Sequence, residues 1–214
     1  DALEKVVVTG DAAANITVSL AGAALETQTA EFDASAAGGV ITAHVTKGAS
    51  ATATVTMSAQ ADYLDFDGAL ASTITLDGGD GVDYLELDTS VAYSASATAQ
   101  SGSGVSNFEA LRLASGVGVD ERSLVNNAGI TGLIAVAGGS YTKSTALASI
   151  TQLSAGTFTT TAATDGAADT LTMNLIGAGV ASTLSAANVE TLTVNSGGIA
   201  ANSLTMSALG SADL

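Results

Sequence analysis

Gly78-Gly79-Asp80-Gly81-Val82-Asp83-Tyr84-Leu85-Glu86 is the stretch on which the reading of the fold turns. It follows the pattern G-G-x-G-x-D-x-U-x, where U is a large apolar residue, at every fixed position. Each fixed position has a physical use. Glycine takes left-handed φ without a Cβ penalty, so the three glycines allow a tight turn with carbonyls pointing inward. Asp83 adds a carboxylate, and Leu85 opens a short strand whose side chain is to be buried. Donors that are all oxygen suit Ca²⁺, which makes Gly78, Gly79, Asp80, Gly81 and Asp83 a candidate calcium site. A single Gly/Asp-rich turn is more often a plain hairpin turn, so the surrounding sequence has to decide.

Composition narrows the choice. The chain has 214 residues, 21 acidic and 5 basic side chains, and a formal net charge of -16. Nucleic acid and anionic membrane call for basic patches and are excluded as partners. Divalent cations fit. Hydrophobic residues make up 47 %, which rules out a disordered acidic tail. Ala, Gly, Ser and Thr supply over half the chain and aromatics only 4 %, so the core has to be built from small side chains in thin, closely stacked layers. Cys and Pro are both absent. The first absence removes disulfides, thiolate metal sites and cysteine nucleophiles. The second fits a structure in which nearly every backbone N–H joins a ladder. No apolar run is long enough to span a membrane.

Period-two alternation dominates. It predicts strands at Val6–Thr9, Asn15–Leu20, Val40–Thr46, Ala51–Met57, Ser72–Leu76, Tyr84–Leu87, Leu111–Leu113, Thr170–Leu175 and Thr191–Val194. The one helical candidate is a turn or two near Asp120–Asn126. Units also recur. Met57–Asp65 keeps Asp62, Tyr63 and Leu64 without the glycines, and Ser101–Glu109 keeps Gly102, Gly104 and Val105 with Ser103 and Ser106 for the two Asp positions. Asp165-Gly166-Ala167-Ala168-Asp169-Thr170-Leu171 is a later relative. Phe108–Gly116 matches Val189–Gly197, and Leu3–Gly10 is a looser third copy. A repeat of roughly 20 residues with one or two short strands has the size of one solenoid coil. The predicted fold is therefore all-β, a parallel β-solenoid with little or no helix, in preference to an antiparallel sandwich.

These decayed nonapeptides, the Thr/Ala/Gly/Val-rich strands, the recurring Phe108–Leu113 and Val189–Val194 segments and the lack of Cys resemble the RTX-type surface-layer proteins of Gram-negative bacteria. The resemblance implies type I secretion, an extracellular, cell-surface location, a calcium-stabilised solenoid and self-association into a lattice. It allows a cell-surface polysaccharide as a further partner. Asp80, Asp83 and the glycines carry over as ligands. The chain begins with Asp1, shows no signal peptide and has no recognisable C-terminal secretion signal. Residues 1–214 thus read as a single solenoid segment of a larger secreted protein. Two other functions compete: a stalk module of an RTX-type adhesin, and a polysaccharide-active enzyme on a β-helix. The second needs a groove with close carboxylates and aromatic platforms.

Eight acids lie between Asp62 and Asp88, and no Lys or Arg occurs between Lys47 and Arg112. A charge run is usually a solvated face. Stacked coils, however, would superpose carboxylates, and a bound Ca²⁺ would relieve their repulsion. Asp62, one coil before Asp83, joins the candidate ligands on this ground. Alternation puts Asp83, Leu85 and Leu87 on one face and Tyr84, Glu86 and Asp88 on the other. Glu86 and Asp88 are therefore outward. Glu4, Glu109 and Glu190 recur at related places, which predicts a structural task such as bonding backbone N–H groups at a coil corner. Asn126-Asn127 and Asn195 to Asn202 are candidates for asparagine stacks. His44, the sole histidine, has no nucleophile motif around it and reads as a strand residue. No catalytic residue is assigned.

Overall fold

The computed structural model describes residues 5–19, 29–47, 52–96, 99–127, 129–166, 168–177 and 179–210. Over these residues the chain winds into a parallel β-solenoid of about eight turns. The first sheet holds β1 (Lys5–Gly10), β3 (Thr29–Ala37), β5 (Thr52–Thr56), β7 (Ile74–Asp77) and β9 (Val105–Ser106). The long central sheet holds β2 (Ala14–Ser19), β4 (Ile41–Thr46), β6 (Tyr63–Asp67), β8 (Tyr84–Leu87), β10 (Ala110–Leu113), β12 (Gly132–Ala135), β14 (Ser149–Gln152), β16 (Thr170–Leu175) and β18 (Thr191–Ser196). The third sheet holds β11 (Gly118–Asp120), β13 (Gly139–Ser144), β15 (Gly156–Ala162), β17 (Ala181–Ala187) and β19 (Ser203–Gly210). Every even-numbered strand thus enters the central sheet, while the odd-numbered ones fill first one flanking sheet and then the other.

The register explains the stack. Leu64, Leu85, Leu111, Leu133, Ile150 and Met173 pair in sequence across the central sheet, and so do Phe66, Leu87, Leu113, Ala135, Gln152 and Leu175. These two columns point inward and are buried. They meet Phe32, Val55, Ile74 and Leu76 from the first sheet, and Tyr141, Phe158 and Leu184 from the third. No coil buries its apolar face alone; each is closed by its neighbours. Alternation is strict in β4, where Ile41, Ala43 and Val45 are buried and Thr42, His44 and Thr46 lie outward. β-branched residues suit such half-buried pleats.

The coil between β8 and β10 touches all three sheets. β8 lies in the central sheet, Val91 makes an isolated parallel bridge to Val119 of β11, and β9 closes the first sheet against β7. This detour is where the solenoid exchanges one flanking sheet for the other.

Several sequence expectations shift in detail. The candidate helix at Asp120–Asn126 is one 3-10 turn, Glu121–Ser123, capped by the Asp120 side chain. The alignment of Ser101–Glu109 with Gly78–Glu86 is out of step. Leu85 and Leu87 pair with Leu111 and Leu113, so Glu109 faces Asp83 and not Glu86. Apolar burial fixes this register, because a slip would turn the leucines to solvent. The expected strands are present with ends moved by a residue or two; Leu20 and Ala51, at the ends of two of them, lie outside the described residues, as do Leu3 and Glu4.

Candidate functional site

The turn from the first sheet into the central sheet gathers most of the residues singled out above. Asp62 and Asp83 are each the residue before a central strand, and both are buried, at 1 % and 0 % exposure. They form a carboxylate ladder that climbs the coils. Asp62 Oδ1 accepts the Ile41 N–H at 2.7 Å, Asp83 Oδ1 accepts the Asp62 N–H at 2.7 Å, and Glu109 Oε2 accepts the Asp83 N–H at 2.7 Å. Asn127 ends the run: its Oδ1 accepts the Phe108 N–H and its Nδ2 donates to the Phe108 carbonyl, both at 2.8 Å. Each coil's acid thus satisfies an N–H of the coil before it. The wall repeats the device farther on, where Glu190 Oε2 accepts the Asp169 N–H at 2.6 Å, while Asp169 Oδ2 accepts the Gly166 N–H of its own turn at 2.7 Å. The corner role expected of Glu109 and Glu190 is what both side chains perform.

The two inner members differ in what they have left to offer. Asp62 Oδ2 accepts from the Ser58 N–H and the Ser58 hydroxyl, each at 2.7 Å, so both Asp62 oxygens are engaged. Asp83 Oδ2 is buried without a hydrogen-bond partner. Burial pushes the Asp83 carboxyl up to about 7, helped by the charges of Asp62, Glu109 and Asp77. Asp80 is exposed and stands apart from the ladder. Asp77 Oδ1 accepts from the Gly79 N–H at 3.1 Å and from Asn107 Nδ2 at 2.7 Å. Asp77, Asp80, Gly79, Ser58 and Asn107 line a shallow groove of ≈ 320 Å³ on this corner.

The glycines answer a second need besides turning. Gly79 has φ +92°, and a Cβ there would sit 2.0 Å from the Ser58 carbonyl oxygen. At Gly78 it would sit 1.9 Å from the Asn107 carbonyl oxygen. The turn is wedged between the backbones of the coils on either side. Close coil stacking by itself therefore demands the Gly-Gly pair, whether or not a cation binds.

A second polar cluster lies on the outer face of the central sheet. His44 and Asp65 are register partners, as are Thr46 and Asp67. His44 Nδ1 lies 2.7 Å from Asp65 Oδ2, and His44 Nε2 lies 3.3 Å from Asp67 Oδ2 and 3.3 Å from Thr46 Oγ1. The hydrogen bond to Asp65 and the charge of Asp67 raise the His44 pKa. Next along the row, Glu86 takes Arg112 Nη1 at 2.7 Å and the Tyr63 hydroxyl. Burial pushes the Tyr63 hydroxyl up to about 12. Glu86 and Asp88 face outward, as alternation requires. Farther along, Asn195 Nδ2 donates to Asn174 Oδ1 at 2.9 Å, a cross-coil asparagine pair.

Two functional-looking features escaped the sequence. The His44 cluster depends on a register between β4 and β6 that spacing alone did not supply. Glu121, buried at 3 %, sits in the 3-10 turn and accepts from the Tyr141 hydroxyl, the Thr145 N–H and hydroxyl, and the Gly129 N–H. Its neighbours in sequence gave no sign of four donors arriving from later coils.

The pKa of Asp83 carries a testable consequence. In the unfolded chain this carboxyl titrates near about 3.9. The folded protein therefore holds a proton through a range in which the unfolded chain has lost it. The folded form gains most below the unfolded value, and that contribution is lost as pH rises toward about 7. In chelator, wild-type stability minus that of Asp83→Asn should fall between pH 4 and pH 7. Parallel denaturation profiles for the two proteins would show that Asp83 ionises freely.

Compared with known protein families, curated proteins and solved structures, the chain matches none.

Proposed function

We propose that this chain is a structural protein, a solenoid segment of an extracellular, cell-surface assembly of the surface-layer kind. One observation carries the reading: the buried acids Asp62 and Asp83, with Glu109, are spent on backbone N–H groups of adjacent coils. Carboxylates of a hydrolytic site have to face a substrate; these build the stack. Self-association is part of the proposal. Among the described residues, β1 and β2 at one end, and β18 and β19 at the other, each pair on one side only. Ile199 and Met206 near the latter end are 99 % and 52 % exposed. Unpaired strand edges are templates for another chain. A cell-surface polysaccharide remains a candidate anchor within this reading.

Calcium at the Gly78–Asp83 turn is the second part of the proposal. Asp83 Oδ2 supports it, as a buried carboxylate oxygen in want of a partner. The remaining oxygens would have to come from Asp80, Asp77 and the carbonyls of Gly78, Gly79 and Gly81. Asp62, both of whose oxygens are engaged, is better assigned to the ladder than to a cation. A bound ion would remove the repulsion among these acids and lock the turn. A ligand that binds only the folded state adds about 2.7 kcal/mol at a hundredfold excess over its dissociation constant. Calcium should therefore raise the melting temperature relative to chelator. Calorimetry should show binding weakened by Asp83→Ala and unchanged by Ser106→Ala. Superimposed melting curves, or equal affinities in the two variants, would remove calcium from the proposal. Light scattering in calcium, chelator and matched sodium tests assembly: a chain monomeric in all three favours the adhesin-stalk reading.

A further inference from the structure

The outer-face cluster around His44 is absorbed neither by the ladder nor by the calcium turn. Asp65 can only accept, so the 2.7 Å contact fixes the hydrogen of a neutral ring on Nδ1. The Nε2 lone pair then faces Asp67 Oδ2 at 3.3 Å, with the Thr46 hydroxyl equally distant. With a neutral ring both Nε2 and Asp67 Oδ2 are acceptors; the Thr46 hydroxyl can donate to one of them, and a proton on Nε2 or a metal ion between the two would join them. The gap has the right size for a metal. With Zn–N and Zn–O bonds of about 2.0–2.1 Å and a tetrahedral angle, the two ligand atoms stand about 3.4 Å apart. Asp65 supplies what metal-binding histidines usually have, a carboxylate on the far ring nitrogen that orients the ring.

The surroundings are consistent with a cation. Thr17 of β2, the register partner of His44 on its other side, carries no charge. Glu86 of β8 is engaged by Arg112. Among the described residues the ion-pair contacts of Asp65 and Asp67 are with His44, so with the neutral ring the cluster carries two negative charges. The side chains of His44 and Asp67 are 36 % and 38 % exposed, which leaves the site open to an ion and its remaining water ligands.

We propose that His44 Nε2 and the Asp67 carboxylate, with the Thr46 hydroxyl beside them and Asp65 as the positioning residue, form a surface site for a borderline divalent transition ion such as Zn²⁺. An imidazole ligand suits such an ion and is foreign to the all-oxygen shells of Ca²⁺. The site is therefore distinct from the Gly78–Asp83 turn and does not depend on the calcium proposal.

The single histidine makes the test direct, because its ring protons give one unambiguous set of NMR signals. The whole chain, in millimolar calcium to fill any calcium site, is titrated with Zn²⁺. The expected result is a shift of the His44 ring signals that saturates at one equivalent, with matching heat in calorimetry. His44→Gln should abolish that heat, Asp67→Asn should weaken binding at least tenfold, and Asp65→Asn should weaken it roughly 10–100-fold. These residues lie on the exposed face, so circular dichroism should show the variants folded. Ring signals that ignore Zn²⁺ in the wild-type protein would mean that the gap holds only a proton, and the proposal would fall. It would fall equally if His44→Gln bound Zn²⁺ as tightly as wild type.

Discussion

Replacing Glu121 by Ala is expected to destabilise the protein by about 3–5 kcal/mol. The carboxylate is buried in the 3-10 turn and takes the Tyr141 hydroxyl at 2.9 Å, the Gly129 N–H at 3.1 Å, and both the N–H at 3.0 Å and the hydroxyl of Thr145. Tyr141 is itself fully buried, and burial together with Glu121 raises its pKa. Removing the acceptor leaves the fully buried Tyr141 hydroxyl unsatisfied, at about 1–3 kcal/mol, and forfeits the charge-assisted hydrogen bonds to half-buried Gly129 and exposed Thr145, at roughly 1.5–3 kcal/mol where water replaces them least. Glu121→Gln keeps the shape and one acceptor oxygen, so it should lose less. Urea denaturation of both variants decides the point. A loss under about 1 kcal/mol for Glu121→Ala would show that the neighbouring coils rearrange to satisfy those donors.

The second large effect is expected at Gly79. Gly79→Ala brings a Cβ 2.0 Å from the Ser58 carbonyl oxygen on a backbone with φ +92°. Gly116, with φ +75° and nothing within 4 Å of its added Cβ, is the natural control. A left-handed residue with a Cβ costs about 1–2 kcal/mol, and overpacking adds about 1–3 kcal/mol. Gly116→Ala should show the first cost and Gly79→Ala both, so that the two variants differ by roughly the overpacking term. Equal losses, with calcium chelated, would mean that the adjacent coil moves aside freely and that stacking does not require this glycine.

How much of this was legible in the sequence depends on the kind of residue. Leu85, Leu87, Leu111 and Leu113 alternate with polar neighbours and gave their strands, and with Leu64 of the related Met57–Asp65 unit they gave the coil length. β9, β11, β12, β13, β14, β15, β17 and β19 were not predicted, since they are short or built largely of Gly, Ala, Ser and Thr, which carry little contrast between inner and outer positions; β6 was read as a repeat unit and not as a strand, although Leu64 and Phe66 alternate with polar residues there. β3 escaped for the same reason in spite of Phe32. The ladder was half visible. Glu109 and Glu190 recur in matching segments and so suggested backbone bonding at corners, whereas Asp62 and Asp83 wore the pattern of a cation turn. The two roles look alike in sequence because both ask for a carboxylate at the end of a glycine turn. Only the paths of the Ile41 and Asp62 N–H groups separate them. Glu121 and the His44 cluster were illegible because their partners arrive from coils whose register no local pattern fixes.

The detour between β8 and β10 bears on how the array holds together. In a one-dimensional array, stability is a sum of unit terms and nearest-neighbour couplings. Elsewhere successive coils are coupled through two sheets at once. At the detour, β9 is joined to β7 only through Leu76–Val105 and Asp77–Ser106, and the third sheet begins with the lone Val91–Val119 bridge. The central sheet is the one element that crosses this boundary unbroken. The domain is thus two blocks in series joined by a weaker coupling, and melting begun at either end can stall there, leaving the other half wound.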